Sequence, residues 1–245
     1  MTFSIVARDE STGAFGVAVA TRFFAVGALC PHAEGRVGAL ATQALINPLL
    51  GHDGLAMLRL GLPAAQVLQA LVDSDPGRDT RQLHLQDAQG RIAAHTGQAC
   101  IPWCGHLVRE GFSVAGNMLA GPRVIEATAE TFASQVDKPF AQRLIASLKA
   151  GEAAGGDKRG RQSAALRIHS TEIWPELDLR VDDHDDPLAE LERLEAVSRE
   201  RFVHFAKFFA TRDRPGGIHD RAVIEAEISR ATAGLAGSRS RATSS

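Results

Sequence analysis

The order in which apolar periodicity changes along this chain constrains its fold more than any single motif. Phe3–Arg8 is an apolar, β-branched run. Asp9-Glu-Ser-Thr-Gly13 carries turn punctuation, and Phe15–Thr21 is a second such run, so the chain opens on a hairpin. Ala25–Pro31 and Arg36–Ala44 read as two further extended pieces, rich in small residues. From Asn47 the period changes. Leu49, Leu50, Leu55, Leu58 and Leu62 follow helical spacing, and a second helix is expected from Pro63 to Val72, with proline at its start. Arg81–Asp87 and Ile92–His95 flank a Gln89-Gly90 turn as a second hairpin, and Phe112–Gly116 is another strand. Amphipathic helices are expected over Val124–Phe132 and Phe140–Ala150, then a Gly-rich loop over Gly151–Gly160. Strands follow over Ser163–Ile168 and Leu177–Val181. Hairpins alternate with helix pairs, and no βαβ units are visible. That order predicts an α+β layered domain of antiparallel sheets with helices packed outside.

After Pro187 the pattern predicts a long helix to about Phe209, a loop over Arg212–Gly217 and a helix over Ala222–Ala231. The domain is expected over residues 1–210, with helix 187–210 packed on it. Residues 211–235 form a helical extension, and the small, polar, basic residues Ala236–Ser245 a disordered tail. At 245 residues and 44% hydrophobic, the chain can bury a sizeable core. A net charge of −2 without a basic stripe, and the absence of tyrosine, argue against a nucleic-acid partner. No apolar run is long enough to span a membrane, and no signal-peptide pattern is visible, so a cytoplasmic protein is expected. Three cysteines fit reduced thiols there. The leucine and phenylalanine stripe after Pro187 predicts a homodimer or larger homo-oligomer.

The chemistry concentrates at the chain start. Thr2 follows Met1 at the mouth of the first strand, and threonine is small enough for the methionine to be trimmed. Trimming would leave a hydroxyl and a free α-amine on one residue. An α-amine titrates near pH 8, so it serves as a base for its own hydroxyl. As a plain second residue, threonine is common. Gly116-Asn117 ends a strand, where Asn117 and neighbouring backbone N–H groups could hold an oxyanion; a turn asparagine is the simpler role. Asn47 reads as a helix cap before Pro48, with Thr42 and Gln43 at the same strand-to-helix junction. Cys100, Cys104, His95 and His106 lack the paired spacings of a zinc site, so neither metal nor cofactor is expected. Gly155–Gly160 lacks the phosphate-loop spacing, yet it gathers Asp157, Lys158 and Arg159. The acidic run Asp182–Asp186 stands before Pro187, where acids cap a helix.

Thr2-Phe-Ser-Ile-Val-Ala-Arg-Asp, Gly16-Val-Ala-Val-Ala-Thr-Arg22, Ala25-Val-Gly27, Ala41-Thr-Gln-Ala44 with Asn47, and Asp75-Pro-Gly-Arg-Asp79 form one set of motifs. With Cys100-Ile-Pro-Trp103, Gly105-His106, Gly116-Asn-Met118, Gly155-Gly-Asp-Lys-Arg-Gly160, Gln162-Ser-Ala-Ala165 and Val181-Asp-Asp-His184, they resemble the bacterial and archaeal domain of unknown function numbered ten twenty-eight. The resemblance covers about Thr2 to Leu194. It implies a fold similar to the N-terminal-nucleophile (Ntn) hydrolases, a four-layer αββα sandwich. A more distant similarity is to the proteasome-like branch of that superfamily. There a mature N-terminal threonine attacks an amide, and Asp157 and Ser163 loosely match its late Asp and Ser. That branch also has an early lysine that tunes the nucleophile. Here the first lysine is Lys138, leaving Arg22, Lys158 or Arg159 as substitutes.

The reading is an amidohydrolase cleaving a small amide, cyclic amide or N-acyl compound through an acyl-Thr intermediate. Thr2, Asn117 and Asp157 would be catalytic. Arg22, Thr42, Gln43, Asn47, His106, Gly116, Lys158 and Ser163 would contact substrate, with the Thr42 backbone N–H among the oxyanion donors. The alternative is a non-catalytic ligand-binding or assembly subunit that keeps the fold. A metal enzyme built on Cys100, Cys104 and His106 is the third.

Overall fold

A computed structural model of the protein describes residues 2–242, with side chains described to residue 233. Ten strands form two antiparallel sheets. The larger joins β1 (Thr2–Arg8), β2 (Phe15–Thr21), β7 (Gly105–Arg109), β8 (Phe112–Asn117), β9 (Ser163–His169) and β10 (Leu177–Val181) in the order β10-β9-β2-β1-β8-β7. The smaller joins β3 (Pro31–Glu34), β4 (Gly38–Ala44), β5 (Arg81–Asp87) and β6 (Ile92–Thr96) in sequence order. Every strand pair is antiparallel, as the hairpin order predicts.

Alternation on β1 decides which face looks where. Phe3 lies under helix α4 (Phe140–Ala153), near Gly151. Ser4 and Val6 point the opposite way, to Gln43 of β4 and to a cluster holding Val17, Val19, Ala39 and Ala41. The two sheets therefore meet through the even-numbered face of β1. Helices α3 (Arg123–Ser134) and α4 pack on the outer face of the larger sheet. Gly16 makes room for α4, because a Cβ there would lie 2.6 Å from Leu144 Cδ1. Helices α1 (Leu49–Arg59) and α2 (Ala64–Ser74) cover the smaller sheet, where Leu50, Leu58, Val67 and Leu71 pack on Leu40, Leu83 and Leu85.

Three elements differ from expectation. Ala25–Pro31 is no strand. Ala25 is left-handed at φ 52°, Val26–Ala28 is one 3₁₀ turn, and the strand begins only at Pro31. Gly27 presses on β9 and β10 so closely that a Cβ would lie 2.6 Å from Ala165 Cβ. Strand β7 was not expected; it is a half-exposed edge strand with too little apolar alternation to read. The helix from Pro187 breaks: α5 ends at Ser198, and only the short α6 (Phe202–Phe205) and a 3₁₀ turn follow. Phe205 and Phe209 then pack edge to face, 5.6 Å between ring centres.

The chain divides into two compact units, Met1–Glu192 and Arg193–Ser245. In the second unit α7 (Arg221–Ala242) places Ile224 and Ile228 against Phe208. It runs past its expected end at Ala231 and into the expected tail, of which residues 243–245 lie outside the described residues. Among the described residues no helix is long and apolar enough to cross a membrane.

Candidate functional site

Strand register builds the site. Thr2 pairs with Asn117 on β8, and Thr21 on β2 pairs with Ser163 on β9. Phe3 faces Ala20, so Thr2 stands opposite Thr21. Ser163, Thr21, Thr2 and Asn117 thus form one polar row across the end of the larger sheet, on the face turned to the smaller sheet. All four are buried. The Thr2 hydroxyl lies 3.1 Å from the Thr21 hydroxyl.

Thr2 forms part of the wall of a cavity of about 260 Å³, together with Phe23, Val26, Cys30, Leu45 and Arg159. Asn117 lines a second cavity of about 300 Å³, with Thr80, Cys100, Ile101 and Met118. Ala44 and Leu45 line both and form the ridge between them. Ala44 (φ 74°) and Met118 (φ 54°) are left-handed without being glycine, a conformation that costs about 1–3 kcal/mol and collects at functional sites. The ridge is braced. Leu45 N–H donates to Thr80 O at 3.1 Å. Arg81 donates to Leu45 O and, through Nε, to Asp75 at 2.8 Å. That bond holds the Asp75 carboxyl below the usual carboxylate range. The Asp75-Pro-Gly motif is accounted for as a strut under the ridge.

Asp157 lines neither cavity. Its carboxylate accepts the Arg22 and Arg159 backbone N–H groups, each at 2.8 Å, and pairs with the Arg159 guanidinium at 3.2 Å. Its link to the Thr2 cavity is Arg159, which lines the wall. The remaining expected residues scatter. Gln43 lines the Thr2 cavity. Ser163 Oγ donates to Phe23 O at 2.5 Å and accepts Val26 N–H, pinning the loop that forms one cavity wall. Arg22 turns to a separate polar cavity with Arg161, Asp183 and His184. Asn47 Oδ1 accepts the Leu49 N–H, a capping role. Lys158 reaches Pro102 O at 3.4 Å, and His106 Nδ1 contacts Thr96 Oγ1 at 2.9 Å; neither lines the two cavities. The Thr42 N–H donates to Cys30 O, so it is not free to meet an oxyanion. Gly116 lies inside β8, its carbonyl bonded to Gln82. Cys100 Sγ and Cys104 Sγ each donate to a backbone carbonyl. Among the described residues no group of three metal-ligating side chains occurs.

A buried network behind the cavities was not legible in sequence. Gln82 Oε1 accepts from Gln43 Nε2 at 2.7 Å and from Asn117 Nδ2 at 3.1 Å. Its own Nε2 reaches Gly116 O at 2.9 Å. Ser4 Oγ donates to Gln43 Oε1 at 2.6 Å. With that hydroxyl proton committed, His84 Nε2–H must donate to Ser4 Oγ (2.8 Å), and Nδ1 accepts from Ser113 Oγ (2.8 Å). The ring is neutral, because burial depresses its pKa to about 3. Burial likewise lowers His32 to about 4. Unfolded, both titrate near 6.5. Below that pH the unfolded chain binds more protons, so stability is complete above pH 6.5 and is lost as pH falls toward 4. Each histidine contributes a slope of up to about 1.4 kcal/mol per pH unit. A His84→Gln variant is expected to show a shallower slope between pH 6.5 and 4 in urea titrations. An unchanged slope would contradict this assignment. Burial pushes the Cys30 thiol up to about 12, so it stays protonated and unreactive in the cavity wall.

A crystal structure of a Silicibacter pomeroyi protein of the same family is 32% identical, covering 90% of this chain and 96% of its own, with TM-score 0.83. Two structures of Anbu (ancestral beta-subunit), from Yersinia bercovieri and from Hyphomicrobium sp. strain MC1 (a Gly-1 mutant), are each 12% identical. They cover 80% and 81% of this chain and 96% and 94% of their own, with TM-scores of 0.39 and 0.41. No curated protein matches. The family of unknown function DUF1028 matches residues 2–191, and the chain belongs to it.

Proposed function

We propose that the protein is an N-terminal-nucleophile amidohydrolase on a four-layer αββα sandwich, cleaving a small amide, cyclic amide or N-acyl compound. One observation carries the reading. Thr2 opens β1 at a cavity wall, buried, beside Thr21 and directly across the strand pair from Asn117.

In the proposed reaction Met1 is removed. The Thr2 α-amine takes the hydroxyl proton as Oγ attacks the carbonyl carbon. One Asn117 Nδ2 proton is committed to Gln82, and the other meets the developing oxyanion. The amine leaves with the proton carried by the α-amine, and an acyl-Thr2 ester remains. Water adds to the ester carbonyl and gives up its proton through the same amine, which returns it to Thr2 Oγ as the acid departs. Arg159, held by Asp157, is the cation in the cavity wall.

The test is direct. N-terminal sequencing should begin at Thr2, and intact-mass analysis should find a single β-lactone adduct lost in Thr2→Ala. Retained Met1 would remove the base and sink the reading. The second reading, a non-catalytic ligand-binding subunit, is favoured by the lack of any lysine before Lys138; retained Met1 would support it. A cytoplasmic homo-oligomer is part of the proposal. The exposed Phe23, Phe24 and Val197 offer apolar contact area, and light scattering at micromolar concentration tests it.

A further inference from the structure

The geometry points to an uncharged, apolar acyl group as the occupant of the Thr2 cavity, an inference that rests on the proposed role of Thr2 for the word acyl. The wall carries Phe23, Val26, Leu29, Cys30, Leu45 and Ile46. Its polar members are Thr2, Gln43 and Arg159, and none of their side chains offers an unpaired charge to a ligand. Gln43 is committed inward, with Oε1 accepting from Ser4 and Nε2 donating to Gln82. Arg159 is clasped side-on by Asp157, with Nε 3.4 Å from Oδ1 and Nη2 3.2 Å from Oδ2. The Asp157 carboxylate is itself buried, so the pair is close to neutral as a unit. A carboxylate on the ligand would have to compete with Asp157 for Arg159. An ammonium would find no acid among the lining residues. Either ion would lose its water without a partner.

The size of the group follows from the volume. A dry cavity of about 150 Å³ accepts benzene, so about 260 Å³ accepts a phenylacetyl or a branched six-carbon acyl group. The ridge at Ala44 and Leu45 would then divide the acyl side of the substrate from its amine side, which would extend toward Asn117 and the second cavity.

The experiment measures binding of acetamide, butanamide, hexanamide, phenylacetamide and succinamate to the full chain by ligand-observed NMR, with no turnover required. Each methylene buried should tighten binding about threefold to fourfold, levelling off near six carbons. Succinamate, which is butanamide with its terminal methyl replaced by a carboxylate, should bind at least about tenfold more weakly than butanamide. Phe23→Ala and Leu45→Ala alter side chains that are 52% and 67% exposed, so the fold should tolerate them. Both should lower hexanamide affinity about fivefold and leave acetamide unchanged. A flat series, succinamate binding as tightly as butanamide, or a slope unaltered in both variants would overturn the inference. The two readings fail separately. A rising series without Thr2-dependent turnover leaves the apolar site standing and removes the catalytic role. A flat series with Thr2-dependent turnover does the reverse.

Discussion

Thr2→Ala is expected to lower amide turnover by roughly 10⁴–10⁶-fold, the range seen when a covalent nucleophile is deleted. Ligand affinity should stay within about twofold, because the variant keeps the cavity and its apolar walls. The stability change should be small. Thr2 sits at the end of β1, and its one hydroxyl contact is with Thr21. Thr2→Ser should retain measurable activity, since serine preserves both hydroxyl and α-amine after trimming. Asn117→Ala removes one oxyanion donor and is expected to cost about 10²–10³, so it must be the milder defect. Single-turnover kinetics with an amide found in the acyl series would check the order. Near wild-type turnover in Thr2→Ala would end the nucleophile assignment, whatever the behaviour of Asn117.

Gln82→Met should destabilise the fold by roughly 3–4 kcal/mol, a large share of the 5–15 kcal/mol typical of a domain. Methionine matches the shape of glutamine and removes every polar atom beyond Cβ. Three buried groups would lose a bond, Gln43 Nε2, Asn117 Nδ2 and Gly116 O, and so would the half-buried Thr96 Oγ1 and Gly105 O. Each costs about 1–3 kcal/mol when orphaned, less where a neighbour relaxes. Gln86 on the same strand is the control. It is as deeply buried, yet its Oε1 has no partner and its Nε2 makes one 3.3 Å bond to Gly90 O. Gln86→Met should therefore cost less than about 1.5 kcal/mol. The readout is the urea midpoint at unchanged slope. Equal losses in the two variants would mean that the network around Gln82 carries no special share of stability. A loosened Asn117 should also lower the rate of Thr2 acylation beyond any loss of fold.

What could be read from the chain was local. The Asp9–Gly13 turn, the leucine spacing from Leu49 and the Gln89-Gly90 turn each encode a hairpin or helix within a few residues. The sum of those signals predicts antiparallel sheets and helix pairs, because backbone hydrogen bonding leaves few ways to join such elements. That Thr2 shares a face with Ser4 and Val6 belongs to the same class, since alternation along β1 assigns every second residue to one face; that this face meets a cavity does not. Strand β7 was missed for the opposite reason: an edge strand needs little apolar content, so its pattern is faint.

Sequence alone thus determined most of the elements, their antiparallel pairing and which residue is the candidate nucleophile. Tertiary structure decided who stands beside it. Thr21 became its neighbour only through the register of β1 on β2, and Gln82 joined Gln43 to Asn117 only because the two sheets stack face to face. Asp157 was a catalytic candidate from its loop, yet the fold spends its carboxylate on Arg159 and the Arg22 backbone. The Thr42 N–H was removed from the oxyanion by a bond to Cys30 O. The Thr2–Thr21 and Asp157–Arg22 contacts join residues 19 and 135 positions apart. Side-chain chemistry limits what such partners can do together, but only the packed sheets bring them within hydrogen-bonding distance.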